Sequence, residues 1–119
     1  MKQDAIEGLE AALAAFGLSA SEPRASTGRA DLVIATPDGS SLEVEVFATA
    51  TATDDDVDRV AHWRGEGVVP ILVADQVPDR LRLELNDRNL SWLDRRGHLR
   101  LTAPGVYVDA TFSPRGRSA

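Results

Sequence analysis

The chain has 119 residues, of which 43% are hydrophobic and 27% charged, and its formal net charge is −6 at pH 7. This length supports one domain around a single core, and the composition is typical of a globular protein. The negative charge argues against a protein that coats nucleic acid through charge alone. Because the chain contains no cysteine, disulfides and thiolate metal sites are excluded.

The sequence carries no recognisable membrane or export segment. No stretch approaches the roughly 18–20 apolar residues that cross a bilayer, and the N-terminus lacks the apolar run of a signal peptide. We therefore expect a cytoplasmic protein without a membrane partner. Residues 1–112 are expected to form one domain, and residues 113–119 a flexible basic tail.

The first half of the chain predicts one helix and one β-hairpin. Residues 2–17 predict a helix that ends at Gly17, because apolar residues recur there at spacings of three and four. Residues 18–30 are rich in Ser, Pro and Gly and predict a loop. Residues 31–49 predict two strands, because the Pro-Asp-Gly sequence at 37–39 is typical of a tight turn.

The second half predicts two helices and four strands. Thr53, followed by three aspartates, predicts the N-cap of a helix that ends at Gly65 or Gly67. The apolar run 68–75 predicts a strand covered on both faces, and Pro78 begins the next helix. The remaining segments LSWLD, HLRLTA and GVYVDATF have strand character. The element order predicts an α/β fold with a mixed β-sheet flanked by helices.

The strand within LEVEVFATATAT presents two different sets of side chains. Because side chains alternate along a strand, Val44 and Val46 are expected to enter the core. Glu43, Glu45 and Phe47 are then expected to share the other face.

Paired carboxylates are the first candidate site. The hairpin turn would bring Asp31 close to Glu45, and two or three carboxylates can hold Mg²⁺, which activates water and stabilises a phosphoryl transition state. Alternatively, Glu43 and Glu45 simply face solvent on a half-exposed strand. The acidic run 54–58 is interpreted as helix capping, without a role in chemistry.

A basic turn is the second candidate site. In LDRRGHLR, Gly97 would supply the positive φ of a tight turn that Asp94 braces. The cationic side chains presented around this turn are Arg95, Arg96, His98 and Arg100. Arginines on a protruding turn suit phosphate contacts with DNA, but they equally suit pairing with acids of a neighbouring element or of a second subunit. The sequence shows neither a catalytic-triad motif nor a P-loop.

The segment ADLVIATPDGSSLEVEVFA follows an N-terminal helix and precedes a helix, a buried strand, another helix and LSWLDRRGHLRL. This arrangement, over roughly residues 3–112, resembles the restriction-endonuclease-like (PD-(D/E)XK) superfamily. Within it, the chain more closely resembles the small actinobacterial proteins and antitoxin-like transcriptional regulators that carry this fold with a WLDRRGHLRL-type hairpin. The resemblance implies a core in the order α-β-β-α-β-α-β-β.

The resemblance also implies roles for the acids. Asp31 matches the first metal-binding acid of the family, and Glu45 matches the second. In an alternative register, Glu43 is the second acid and Glu45 replaces the family's lysine. In the first register that lysine falls at Phe47, and a phenyl ring can neither orient the attacking water nor offset negative charge. The resemblance thus implies a degenerate nuclease site.

Three functions follow as expectations. The first is a DNA-associated or transcription-regulatory module without catalysis, which needs no cofactor. The second is a Mg²⁺-dependent nuclease that uses Asp31, Glu43 and Glu45. The third is a protein-interaction or dimerisation module, for which the acidic composition is favourable. Their partners would be DNA, another protein or a second copy of the chain.

Overall fold

The computed structural model describes residues 2–22, 30–63 and 67–113. Within these ranges the chain forms three helices and seven strands. In chain order they are α1 (Lys2–Ala15), β1 (Ser19–Ser21), β2 (Leu32–Ala35), β3 (Ser41–Thr51), α2 (Asp54–Ala61), β4 (Val68–Gln76), α3 (Asp79–Asp87), β5 (Ser91–Asp94), β6 (His98–Ala103) and β7 (Val106–Thr111). Of the predicted tail at 113–119, residues 114–119 lie outside the described residues.

All seven strands form one sheet, and their spatial order is their order along the chain. β3, β4 and β5 run parallel to one another, while every other neighbouring pair is antiparallel. The parallel pairs are connected through α2 and α3, as parallel connections require. The prediction of an α/β fold with a mixed sheet flanked by helices is confirmed. No helix in the described ranges is long and apolar enough to cross a membrane.

The sheet buries a hydrophobic cluster on each face. The cluster on the first face packs under α1 and contains Ala5, Leu9, Ala12, Leu13, Leu32, Ile34, Leu42, Val44, Val46, Ile71, Val73, Leu93, Leu99, Leu101 and Val106. The cluster on the second face packs under α2 and α3 and contains Ala52, Val57, Val60, Leu72, Ala74, Val77, Leu81, Leu85 and Trp92. β4 supplies both clusters, which explains its nearly continuous apolar sequence and confirms the prediction of a strand covered on both faces.

β1 lies in the segment that the sequence predicted as a loop. Its three residues pair with Val33–Ala35 of β2, which gives the backbone groups of that edge their hydrogen-bond partners. Ser19–Ser21 has only one partly buried side chain, Ala20, so the usual alternation of a strand is almost absent. Residues 23–29 of the predicted loop lie outside the described residues.

α2 ends earlier than predicted. The helix stops at Ala61, and Trp63 then directs its indole Nε1–H to the Val68 carbonyl at 3.1 Å. The Trp63 ring also packs edge-on against Phe47, with ring centroids 5.8 Å apart. The chain therefore leaves the helix where this ring turns back onto the sheet, before either predicted glycine. Of those glycines, Gly65 lies outside the described residues.

The sheet is curled, so that turns distant in strand order meet. Gly105, in the β6–β7 turn, lies against the Asp38 side chain of the β2–β3 turn, and a Cβ added at Gly105 would come within 2.9 Å of Asp38 Oδ2. Phe112, which follows β7, packs edge-on against Phe16, which follows α1. Their ring centroids are 5.9 Å apart. The curl thus wraps both ends of the sheet around α1 and encloses the first cluster.

Candidate functional site

Asp31 stands one residue before the ladder between β2 and β3 begins, and extending the register places it opposite Glu45. Its Oδ2 accepts a 2.8 Å hydrogen bond from the Val46 backbone N–H. The same oxygen pairs with Lys2 Nζ of α1 at 3.1 Å. The carboxylate of Asp31 therefore continues the β2–β3 pairing and ties the start of α1 to the sheet.

Glu43 and Glu45 project from β3 on the face away from α1, because Val44 and Val46 enter the cluster under α1. This alternation confirms the prediction for the two valines. Glu43 is exposed, whereas Glu45 is half-buried and its Oε1 is buried without a hydrogen-bond partner. Asp31 and Glu45 are thus opposite in register but held differently, since α1 and the β3 backbone bind only the first.

Phe47 occupies the same face of β3 and packs against the second cluster. Its ring contacts Trp63 edge-on, and the Arg59 guanidinium of α2 lies 5.8 Å from the ring centroid. Its register partner on β4 is Leu72, which is fully buried. Phe47 is therefore a packing residue of the α2 side, at the position where the resembled motif has its lysine.

The resemblance implies Mg²⁺ at these acids, and the chemistry of the donors argues against that ion. The ammonium group of Lys2 already neutralises Asp31 and occupies its Oδ2, so it would repel a divalent cation there. Of the carboxylate oxygens of Asp31 and Glu45, Glu45 Oε1 is the one that is buried without a hydrogen-bond partner. Within the described residues no group of three or more His, Asp or Glu side chains is placed to hold a metal. We derive no catalytic step through Mg²⁺.

Asp94 is the most constrained charged side chain of the basic turn. Its side chain is 0% exposed, and it forms salt bridges with Arg82 of α3 at 2.7 Å and with Arg96 at 2.8 Å. It also accepts hydrogen bonds from the backbone N–H groups of Val77 and Arg96. Burial by itself raises the pKa of Asp94, but these hydrogen bonds outweigh it and hold the pKa well below its usual range. Asp94 therefore locks the turn to α3 and to the end of β4.

The two arginines at the tip of the turn are paired within the chain. Arg95 forms a salt bridge with Asp75 at 3.3 Å, and it lies so close to α1 that a Cβ at Gly8 would come within 2.8 Å of its Nε. Arg96 pairs with the buried Asp94, although its own side chain is 58% exposed. Gly97 has a φ of 134°, as the predicted turn requires. Both guanidinium groups of the turn thus already pair with an acid of this chain, although Arg96 shares the single charge of Asp94 with Arg82.

His98 and Arg100 point away from the tip, to the neighbouring strand. His98 Nε2 lies 2.8 Å from Asp109 Oδ1, and its ring stacks on Trp92 with centroids 4.9 Å apart. Arg100 is buried; it donates to the Leu90 carbonyl at 3.0 Å and lies 3.6 Å from Asp109. All four cationic residues predicted for DNA contact therefore face an acid of this chain.

Four partners of these residues were missed by sequence reasoning: Lys2, Asp75, Arg82 and Asp109. Lys2 and Arg82 lie on helices, far along the chain from the acids that they contact, so no local pattern identifies them. Asp109 was recognisable in principle. A hairpin turn at the Pro-Gly sequence of 104–105 places it directly opposite Arg100.

A small cavity lies beside the basic turn, where the carboxyl ends of β3 and β4 face the start of α1. Its volume is about 140 Å³, and it is lined by Asp4, Ala5, Ala48, Thr49, Val73, Asp75 and Arg95. Pockets for drug-sized ligands and cofactors measure roughly 300–1,000 Å³. The cavity is therefore too small for a nucleotide.

Comparison with known proteins returned no match among protein-family models, curated proteins or solved structures.

Proposed function

We propose that this chain is a catalytically inactive nuclease-like domain that works as a binding module in a DNA-associated or transcription-regulatory assembly. We further propose that it makes its contacts with protein rather than with DNA itself. The observation that carries the first part is the packing of Phe47 against Trp63 and the α2 side of the sheet. This ring stands where a nuclease of the resembled kind needs a cation for its attacking water.

The state of Asp31 supports the same conclusion. Its carboxylate serves as an acceptor for the Val46 N–H and as a partner for Lys2, which are structural tasks. A metal-binding acid would instead direct its free oxygens toward the ion.

The pairing of the arginines of the basic turn with acids of this chain supports a protein partner. Binding to DNA draws most of its affinity from lysines and arginines that replace counterions at phosphates. Arg95 would have to leave Asp75, and Arg96 would have to divide its donors between Asp94 and a phosphate, before they could do so. The whole chain, at −6, would also be repelled by the DNA.

Direct DNA contact through the turn is the second candidate function. The exposure of the Arg96 side chain, 58%, favours it, because the guanidinium retains donors that could reach a phosphate. Arg96 could contact a phosphate while it stays paired with Asp94, and this contact would leave the fold intact.

The test of catalytic inactivity is a cleavage assay on plasmid and linear duplex DNA with Mg²⁺ or Mn²⁺, using the wild-type chain, Asp31→Asn and Glu45→Gln. Asp55→Asn, which changes an exposed acid of α2, serves as the matched control. We expect no metal-dependent cleavage by any of the four proteins. Cleavage by the wild type and Asp55→Asn that is lost in Asp31→Asn would overturn the proposal and make the chain a nuclease.

A further inference from the structure

The outer edge of the sheet at β7 has no partner strand in the part of the chain that the structure describes. β7 is the last strand in the sheet order and pairs only with β6. A free edge exposes a row of backbone donors and acceptors to any strand that can align with it.

The hydrogen-bonding pattern between β6 and β7 shows which backbone groups of β7 point away from β6. The Phe112 N–H donates to the Gly97 carbonyl at 2.9 Å, and this pair continues the register that joins His98 to Thr111. Hydrogen-bonded and non-hydrogen-bonded pairs alternate along an antiparallel ladder. The backbone N–H and C=O groups of Tyr107, Asp109 and Thr111 therefore point outward, away from β6.

The usual protections of a free edge are missing from β7. Natural edge strands are blunted by lysines, prolines, bulges or unpaired charges, and Val106–Thr111 contains neither lysine nor proline. Its one charged side chain, Asp109, already contacts His98 at 2.8 Å and Arg100 at 3.6 Å. Tyr107, next to it, is 63% exposed and is one of two large hydrophobic side chains among the described residues that are exposed to this degree.

We propose that two copies of this chain associate through their β7 edges, which pair antiparallel with Val108 on the twofold axis. This inference rests on the proposed role as a protein-binding module, and it names a second copy as the partner. The Tyr107 phenol donates a long hydrogen bond, 3.4 Å, to Asp109 Oδ2 of its own chain. In this register Tyr107 also lies opposite Asp109 of the second copy, so each phenol can donate to a carboxylate across the interface instead. On the other face, Val106 lies opposite Ala110 of the second copy, and the apolar surface of the first cluster continues across the axis.

The neighbouring registers are less favourable. A shift by two residues in one direction places Asp109 directly opposite Asp109 of the second copy, where like charges repel. The same shift in the other direction reduces the paired part of Val106–Thr111 from five residues to three. A shift by one residue sets outward-facing backbone groups against inward-facing ones. The pattern of β7 therefore selects the register centred on Val108.

The charge of the chain determines how the association responds to salt. Two subunits of −6 repel each other at long range, and salt screens this repulsion. Association through β7 should therefore strengthen as ionic strength rises, which is the opposite of the salt dependence of DNA binding.

The first experiment is sedimentation equilibrium of the full chain from low to high micromolar concentration at two salt concentrations. We expect a concentration-dependent doubling of the 12.8 kDa monomer mass that is stronger at high salt. Tyr107→Asp, which sets an aspartate opposite each Asp109, should weaken the dimer, while Tyr107→Lys should preserve or tighten it. The control is Leu83→Asp, at an exposed apolar position on α3 with 70% exposure, and it should leave the mass distribution unchanged.

The second experiment tests the register by cross-linking, which is straightforward because the chain has no cysteine of its own. Non-hydrogen-bonded antiparallel pairs have Cα atoms about 4.5 Å apart, within the range for a disulfide. Val108→Cys should therefore form a covalent dimer under mild oxidation. Tyr107→Cys should not, since its symmetry mate is displaced along the strand by two residues, beyond the roughly 7 Å limit.

Each outcome decides between the proposals. A monomer at every concentration, with Val108→Cys cross-linking no faster than Tyr107→Cys, overturns the β7 dimer but leaves catalytic inactivity standing. A dimer that is insensitive to Tyr107→Asp also overturns it, because another surface must then mediate the contact. Metal-dependent DNA cleavage overturns the proposed function whatever the mass of the protein.

Discussion

Phe47 is the residue on which the functional interpretation depends most. Its ring fills space between β3 and α2, in contact with Trp63 and below the Arg59 guanidinium. A lysine at this position would bring a charge into a half-buried apolar environment beside an existing cation. Burial of the charge and repulsion from Arg59 would both destabilise the folded protein.

Phe47→Lys is accordingly expected to lower the free energy of unfolding by about 2 kcal/mol, less than the cost of removing a fully buried phenylalanine. Urea denaturation measures this change, and Phe47→Leu, which stays apolar, should cost less than about 1.5 kcal/mol. We expect no gain of cleavage activity. A Phe47→Lys protein that is as stable as the wild type and cleaves DNA with Mg²⁺ would mean that the acids form a working site.

Asp94 is the residue on which the stability of the β5–β6 turn depends. It is completely buried and joins Arg82, Arg96 and the Val77 N–H. Asp94→Ala would leave these donors without a partner, and breaking one side of a buried ion pair costs about 3–5 kcal/mol. Asp75→Ala removes a 61% exposed carboxylate that pairs with Arg95 of the same turn, and it should cost less than about 1 kcal/mol. If Asp94→Ala and Asp75→Ala lower the free energy of unfolding equally, the buried network contributes no more than a surface pair.

The lowered pKa of Asp94 also predicts a pH dependence. A carboxyl with a lower pKa in the folded state stabilises the protein above its unfolded-state pKa of about 3.9. That stabilisation is lost as the pH falls from there through the lower, folded-state value. The free energy of unfolding should therefore decrease more steeply with acidification below about pH 4 in the wild type than in Asp94→Asn. Parallel curves would contradict this assignment.

Local patterns predicted the residues whose roles depend on nearby neighbours. Asp94 and Gly97 were predicted to brace and shape the turn, and Thr53 was predicted to cap α2; the structure confirms all three. The pairing of Lys2 with Asp31 was not predictable, because it depends on how α1 is placed across the sheet. The sequence located the acids, but the tertiary fold determines their partners.

Among the helices, α2 illustrates how a short element is stabilised at its start. Thr53 and Asp56 form a reciprocal capping box, in which each side chain binds the backbone N–H of the other. With eight residues, this helix is too short to be stable alone. Its position therefore depends on this cap and on Val57 and Val60 packed into the second cluster.

Thr53→Ala is expected to destabilise the protein by about 1 kcal/mol, because it removes an N-cap acceptor. Thr51→Ala, two residues earlier, removes only an exposed 3.3 Å hydrogen bond from Gln76 and should change stability by less than about 0.5 kcal/mol. Chemical denaturation of the two variants gives the comparison. If they lose equal stability, the cap does not fix the start of α2.

The element boundaries that the sequence missed have tertiary causes. β1 exists because its backbone completes the edge of β2, although its own side chains show little alternation. α2 ends at Ala61 because the chain turns back there for Trp63 to pack on Phe47. Helix α1, with its apolar residues at spacings of three and four, and strand β4, with its nearly continuous apolar run, were predictable without such contacts.

At the scale of the whole molecule, the curl of the sheet brings Gly105 against Asp38. Gly105→Ala should destabilise the protein both through its positive φ of 86° and through the clash with the Asp38 carboxylate. Gly39→Ala, with a φ of 92° and open space around it, has only the backbone strain. We therefore expect Gly105→Ala to cost about 1 kcal/mol more than Gly39→Ala.

A double-mutant cycle assigns that difference to the contact. In an Asp38→Ala background the extra cost of Gly105→Ala should disappear, since the carboxylate that it meets is gone. Thermal unfolding gives the required stabilities of the wild type, Gly39→Ala, Gly105→Ala, Asp38→Ala and the Asp38→Ala/Gly105→Ala double variant. A cost at Gly105 that is unchanged by Asp38→Ala would mean that the two turns do not restrain each other.

The net charge of the chain bears on whether it binds DNA, and a titration measures this binding directly. Labelled duplex DNA is titrated with the chain in the presence of chelator at low and high salt, and fluorescence anisotropy reports binding. We predict no rise up to tens of micromolar at physiological salt, because Arg95 and Arg96 already pair with Asp75 and Asp94 and the chain carries −6 overall. A rise that falls steeply with salt and is lost when Arg95→Ala and Arg96→Ala are combined would contradict the account and make the basic turn a DNA-binding surface.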